Sequence, residues 1–152
     1  MKRISRLSLT VGLLVCAVLL LAVVTACGGS NEARTLEGTK WIMTTYAVTG
    51  AMKNALATPT VDATFSAPNS GKGQVTGSGG INQYTGSYTV NGSNLTVGAV
   101  SSTRMAGDAA AMQQEADYLA GLQSAASYTI SGDNLTIKNN SGVTVLTYKP
   151  GQ

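Results

Sequence analysis

The chain has 152 residues, ten Lys and Arg against seven Asp and Glu, two cysteines and no histidine. The missing histidine excludes Ser-His-Asp catalysis and every His-ligated metal site. The length suits one domain, which buries about two-thirds of its unfolded surface and so supports a stable core.

The first element is a targeting segment. Lys2, Arg3 and Arg6 form a positive start, and residues 7–24 are an apolar run broken only by Ser8, Thr10 and Gly12. The run approaches the ~20 residues of a transmembrane helix, but it ends in Val24-Thr25-Ala26-Cys27. An aliphatic residue, two small residues and a cysteine resemble the lipobox of bacterial lipoproteins. The resemblance implies that residues 1–26 are a signal peptide and that Cys27 is acylated on its thiol and its new amino group. Two or three acyl chains anchor stably where one is marginal. Gly28, and not an aspartate, follows the cysteine. The expected location is therefore extracytoplasmic and lipid-anchored: the outer membrane of a Gram-negative host, or the outer leaflet of a Gram-positive cytoplasmic membrane.

Cleavage would change the charge. Three of the ten cations are Lys2, Arg3 and Arg6, which leaves seven against seven acids. A neutral domain gives no electrostatic reason to bind nucleic acid. Cys16 would be discarded and Cys27 consumed by lipid, so no thiol is left for a disulfide, a metal or catalysis. No cofactor and no metal site are expected.

Residues 27–35 are mostly small and polar and read as a flexible tether; the domain is expected over residues 36–150. Strand compositions follow at residues 39–48, 61–66 and 72–78. Residues 87–90 and 95–100 flank the turn signal Asn91-Gly92-Ser93-Asn94, and residues 128–130 and 135–138 flank Ser131-Gly132-Asp133-Asn134. The two stretches echo each other, as a duplication or, the simpler reading, one good hairpin turn used twice would make them. Leu95 and Val97 alternate with Thr96, and Leu135 and Ile137 with Thr136, the pattern of strands with one face on a core. Residues 143–148 form a last strand. One segment is helical: over residues 108–126, Met112, Ala116, Leu119, Leu122 and Ala126 make one stripe, and Asp108 is placed to cap it. The architecture expected is α+β, a curled, barrel-like antiparallel sheet with one packed α-helix.

Several of these residues, in this order, resemble the META domain found in HslJ-type bacterial lipoproteins. They are Leu36-Glu37-Gly38-Thr39-Lys40-Trp41, the run from Gly77 to Tyr88, Thr103-Arg104-Met105-Ala106-Gly107 and Glu115. The resemblance implies an envelope protein linked to stress or antibiotic tolerance, without an established enzymatic activity. Many family members carry cysteine where this chain has Ile81 and Gly107. Joint loss suggests that the two positions are neighbours in the fold.

The candidate site is the glycine-rich loop with Asn82, Tyr84, Gly86 and Tyr88, together with Thr103, Arg104 and Glu115. Two readings of it stand side by side: a ligand-contact loop with Tyr84 as an aromatic handle, or a bulged corner with both tyrosines packed on the sheet. Arg104 is placed for an anion or for solvent, and Glu115 for a structural hydrogen bond to a loop backbone. The Asn-x-Ser/Thr sequences read as turn chemistry. The function expected is a non-catalytic, membrane-anchored envelope lipoprotein that contacts a protein or the cell wall. The alternative is a small hydrophobic ligand held in a pocket of the curled sheet.

Overall fold

A computed structural model describes residues 34–152. The expected signal peptide, Cys27 and most of the tether lie outside the described residues.

Strands form where β-branched and aromatic residues alternate with polar ones. In chain order the elements are β1 (Lys40–Val48), β2 (Ala51–Asn54), β3 (Asp62–Phe65), β4 (Lys72–Ser78), β5 (Gln83–Asn91), β6 (Asn94–Ser102), α1 (Ala109–Gln123), β7 (Ala125–Ser131), β8 (Asn134–Asn139) and β9 (Thr144–Pro150). Every strand pairing is antiparallel, and β1 pairs with both β3 and β9. The order β1-β3-β4-β5-β6-β7-β8-β9 therefore returns to β1, and eight strands close a barrel. Closure removes the free edges that an open sheet of this length would expose.

The turns explain the register. Val48 pairs with Ala51, and the two residues between them, Thr49 and Gly50, both have positive φ, as a type I′ hairpin turn requires. The turns at Gly92-Ser93 and Gly132-Asp133 are also two-residue loops, closed by Asn91–Asn94 and Ser131–Asn134. In both, the glycine alone has positive φ, the type II′ pattern. The echoing stretches thus carry the same turn type, at the same end of the barrel.

Three expectations shift. β2 was not foreseen: all four of its residues are exposed, and it lies outside the ring, beside the upper half of β1. β5 starts at Gln83 and not at residue 87, because the glycine-rich loop ends sooner. The helix stops at Gln123, so Ala126 belongs to β7.

The helix face holds in its second half, where Leu122 is buried and Leu119 packs against the core, and differs in its first half. Its buried residues are Ala111, Gln114, Glu115, Tyr118 and Leu122, while Met112 and Ala116 are exposed. The true stripe is displaced because two of its positions are polar and hydrogen-bonded. Asp108 caps the helix as expected, accepting from Ala110 N–H at 2.9 Å and Ala111 N–H at 3.2 Å. β6 and β7 share only the pair Asn94–Ser127, and the helix packs against β6, β1 and β9. It contributes Tyr118 and Leu122 to a core filled by Trp41, Phe65, Tyr88 and Tyr148. An eight-stranded barrel is just wide enough for side chains to fill it, and here they do.

A buried polar clamp joins a loop to the helix

The mouth of the barrel is organised by the chain reversal between β4 and β5, residues 79–82. Gly79 N–H donates to Asn82 C=O at 2.7 Å, closing the turn. A Cβ on Gly79 would fall 2.6 Å from Glu115 Cγ, so only glycine lets the helix carboxylate reach the loop. Gly80 holds φ at +116°, a backbone state that side-chain-bearing residues rarely adopt.

Glu115, about two helical turns beyond the cap, faces this loop and is almost fully buried. Its Oε2 accepts from Asn82 N–H at 2.7 Å and Ile81 N–H at 3.1 Å; its Oε1 accepts from Asn82 Nδ2 at 2.7 Å. Three N–H donors therefore compensate the cost of burying the charge. Asn82 passes the connection on. Its Oδ1 accepts from Met105 N–H at 2.7 Å and from Thr103 Oγ1 at 2.8 Å, and its Nδ2 also reaches Met105 C=O at 3.3 Å. Thr103 Oγ1 in turn accepts from Gln83 N–H at 3.2 Å. One carboxylate and one amide thus tie the β4–β5 loop, the β6–α1 connection and the helix together.

The structure brings Asn82, Thr103 and Glu115 into one cluster and places the tyrosines elsewhere. Tyr84 and Tyr88 point into the barrel. Tyr84 and Tyr118 share a hydroxyl–hydroxyl bond of 2.6 Å, and Tyr84 Oη also donates to Asp62 C=O at 3.0 Å. Their rings meet edge to face with centroids 5.6 Å apart. Burial raises the Tyr84 hydroxyl above its ordinary pKa, partly opposed by the bond to Tyr118. Tyr88 stacks edge-on against Phe65 at 5.2 Å and donates to Ser66 C=O. Burial, with the charge of Glu37 behind it, pushes it up to about 12. Gly86 is the close-approach position: a Cβ there would sit 3.0 Å from Val100, beside the bulge that separates Gly86 from Tyr88 in the β5–β6 register. This geometry is that of a bulged corner with packed tyrosines, Tyr84 being only 4% exposed where it borders a cleft with Gln83 and Thr85.

Arg104 is exposed and, among the described residues, takes part in no ion pair. Asp117 accepts from Gln113 Nε2 at 3.1 Å on the outer side of the helix, away from Glu115. Positions 81 and 107 are neighbours, as their joint departure suggests: a Cβ on Gly107 would lie 2.6 Å from Ile81 Cδ1. Gln114 is a site residue that sequence reading missed; its Oε1 accepts from Leu56 N–H at 2.7 Å and holds the β2–β3 connection to the helix. No local pattern signals it, because its partner is 58 residues away. Two open clefts flank Thr103. One of about 360 Å³ includes Gln83, Thr85 and Ser101; the other, of about 420 Å³, is lined by Arg104, Met105, Ala106 and Met112, with Asn82 and Glu115 at its floor.

The META domain pattern matches residues 34–152. The chain belongs to the META domain family. No curated protein matches it. Two solved structures share the fold. An NMR structure of a protein from Burkholderia xenovorans is 22% identical, with 77% of this chain and 84% of that chain covered and a TM-score of 0.61. A second NMR structure is 19% identical, covering 76% of this chain and 94% of that one, with a TM-score of 0.53. The META match takes in every residue of the polar clamp, so the clamp sits within the part of the chain that defines the family.

Proposed function

We propose that this META protein is a non-catalytic lipoprotein, anchored through Cys27 outside the cytoplasm, whose domain acts by surface contact with an envelope protein or the cell wall. The observation that carries this reading is a filled interior. Trp41, Phe65, Tyr88, Tyr118 and Tyr148 occupy the space that a ligand-binding barrel would leave open. Glu115 and Asn82 at the mouth are committed too: they satisfy one another and the loop backbone, and neither is left to accept a proton from a substrate. A small hydrophobic ligand inside the sheet is the weaker reading for the same reason. The absence of histidine, and of any cysteine after Cys27, argues against the commonest nucleophile–base pairs.

The anchor rests on the lipobox-like Val24-Thr25-Ala26-Cys27. Replacing Cys27 with serine is expected to move the protein out of the membrane fraction or leave it as an unprocessed precursor. An unchanged mature mass and unchanged fractionation would sink the anchoring claim. A role in stress or antibiotic tolerance is tested separately, by the drug and envelope-stress sensitivity of a deletion strain complemented with the full chain.

A further inference from the structure

The large apolar residues that remain exposed are not scattered. Met52, Leu56, Met105, Met112 and Val143 are the ones found among the described residues. Met52 lies in β2 and Leu56 just after it; Met105 and Met112 flank the helix start; Val143 lies in the β8–β9 turn. By the strand directions, all five belong to one mouth of the barrel. The opposite end, with the Gly92 and Gly132 turns, has none. The chain enters at that opposite end, where Arg34 pairs with Asp133 at 3.2 Å. Grouped exposed apolar side chains mark interaction surfaces, and flexible methionine suits a surface that adapts to its partner.

The charge at this mouth is also one-sided. The 420 Å³ cleft is walled by Met105 and Met112, with Arg104 beside them. The carboxylate that reaches the cleft, Glu115, is 5% exposed and spent on three N–H donors. Asp108 is spent on the helix N-terminus. Arg104, Lys53 and Lys138 lie toward the same end, and none of them has an ion-pair partner among the described residues. The cleft therefore sets the apolar Met105, Ala106 and Met112 beside the polar Ser102 and Thr103, with the uncompensated cation of Arg104 among them.

We infer that this mouth is a docking surface for an amphipathic, acidic peptide segment of another protein. An apolar side chain of the segment enters between Met105 and Met112, and a carboxylate meets Arg104. The inference rests on the contact-module reading above and names the partner's chemistry. The surface lies at the end of the barrel opposite Arg34, the first described residue.

The test uses the full chain in lipid nanodiscs and three labelled peptides: one of leucine and glutamate, the same with lysine for glutamate, and the same with serine for leucine. The leucine–glutamate peptide is expected to bind about tenfold or more tighter than either control. Arg104→Glu should reverse the preference between glutamate and lysine, and Met105→Ser with Met112→Ser should weaken binding of the glutamate peptide. These side chains are exposed, so an unchanged thermal midpoint reports that the variants fold. Equal binding of all three peptides, equal binding to empty nanodiscs, or a preference that Arg104→Glu leaves unchanged would overturn the inference. So would concentration-dependent self-association broken by the same variants, which would make the mouth a contact between copies. Failure here leaves the Cys27→Ser fractionation untouched, so the two readings fall separately.

Discussion

At the scale of single residues, the clamp turns on the difference between a carboxylate and an amide. Glu115 presents two acceptor oxygens to three donors, while glutamine would present one acceptor and an NH₂ group. Glu115→Gln is nearly isosteric, yet it sets an N–H against either the loop backbone or Asn82 Nδ2. Asn82 can turn its amide over to meet it, but then Met105 N–H loses its acceptor. Either way one buried donor is orphaned, which costs about 2 kcal/mol. The expected result is a lower urea midpoint with an unchanged slope, and exchange of the Ile81 and Asn82 amide hydrogens that speeds up more than exchange in β8. Unchanged protection of those two amides together with an unchanged urea midpoint would show that Glu115 does not hold the loop. That Glu115 serves a loop backbone was legible as the commoner use of a lone helix carboxylate. That Asn82 reaches Thr103 and Met105 was not. Asparagine beside glycines signals a local turn, and nothing local distinguishes it from an amide whose partners lie more than 20 residues on.

At the scale of elements, the sequence spoke most clearly where period and turn chemistry agreed. The β5–β6 and β7–β8 hairpins were readable because alternating residues flank a glycine turn. The helix was readable in its existence, its cap and the core contacts of Leu119 and Leu122, but not in the buried face of its first half. Apolar spacing selected Met112 and Ala116, whereas the fold buries Gln114 and Glu115 and leaves those two exposed. Periodicity finds the core face only when that face is apolar, and a buried polar clamp defeats it. β2 escaped for a related reason: Met52-Lys53-Asn54 lie outside the ring with no buried side to impose alternation. The adjacency of Ile81 and Gly107, which joins the loop to the segment before the helix, gives an element-scale prediction. A Cβ on Gly107 would lie 2.8 Å from Ile81 Cγ1 and 3.1 Å from Cγ2, positions that a cysteine sulfur at residue 81 approximates. Ile81→Cys with Gly107→Cys is expected to close a disulfide under mild oxidation, and the oxidised form should exceed the reduced form in stability by about 2–3 kcal/mol. Free-thiol titration and the shift in midpoint on adding reductant measure both. Two free thiols after oxidation of folded protein would mean that the elements do not approach as closely as described.

At the scale of the whole molecule, the barrel's interior doubles as a row of hydroxyls. Tyr84, Tyr118 and Tyr148 lie side by side, with ring centroids 5.6 and 6.5 Å apart. Burial is the first cause that raises each of them above the ordinary value of 10.0; Tyr148 adds to the rise of Tyr118, whereas Tyr118 partly opposes the rise of Tyr148. The consequence for stability has a definite sign. Below pH 10 all three are neutral whether the chain is folded or not, and the barrel has its full stability. Above pH 10 the unfolded chain releases their protons and the folded chain retains them. Stability therefore falls as pH rises, by about 1.4 kcal/mol per pH unit for each tyrosine. Unfolding and ionisation should then be one event: tyrosinate absorption from these residues should appear together with the loss of near-ultraviolet circular dichroism. Tyr118→Phe removes one of the three titrating groups, so its stability should decline with pH less steeply above pH 10, even though the substitution lowers stability at neutral pH by breaking the bond to Tyr84. A ligand-binding barrel with a wet interior would behave differently. Its tyrosines would ionise near pH 10 while the circular dichroism stayed intact, and that outcome would reopen the pocket reading that the filled core argues against.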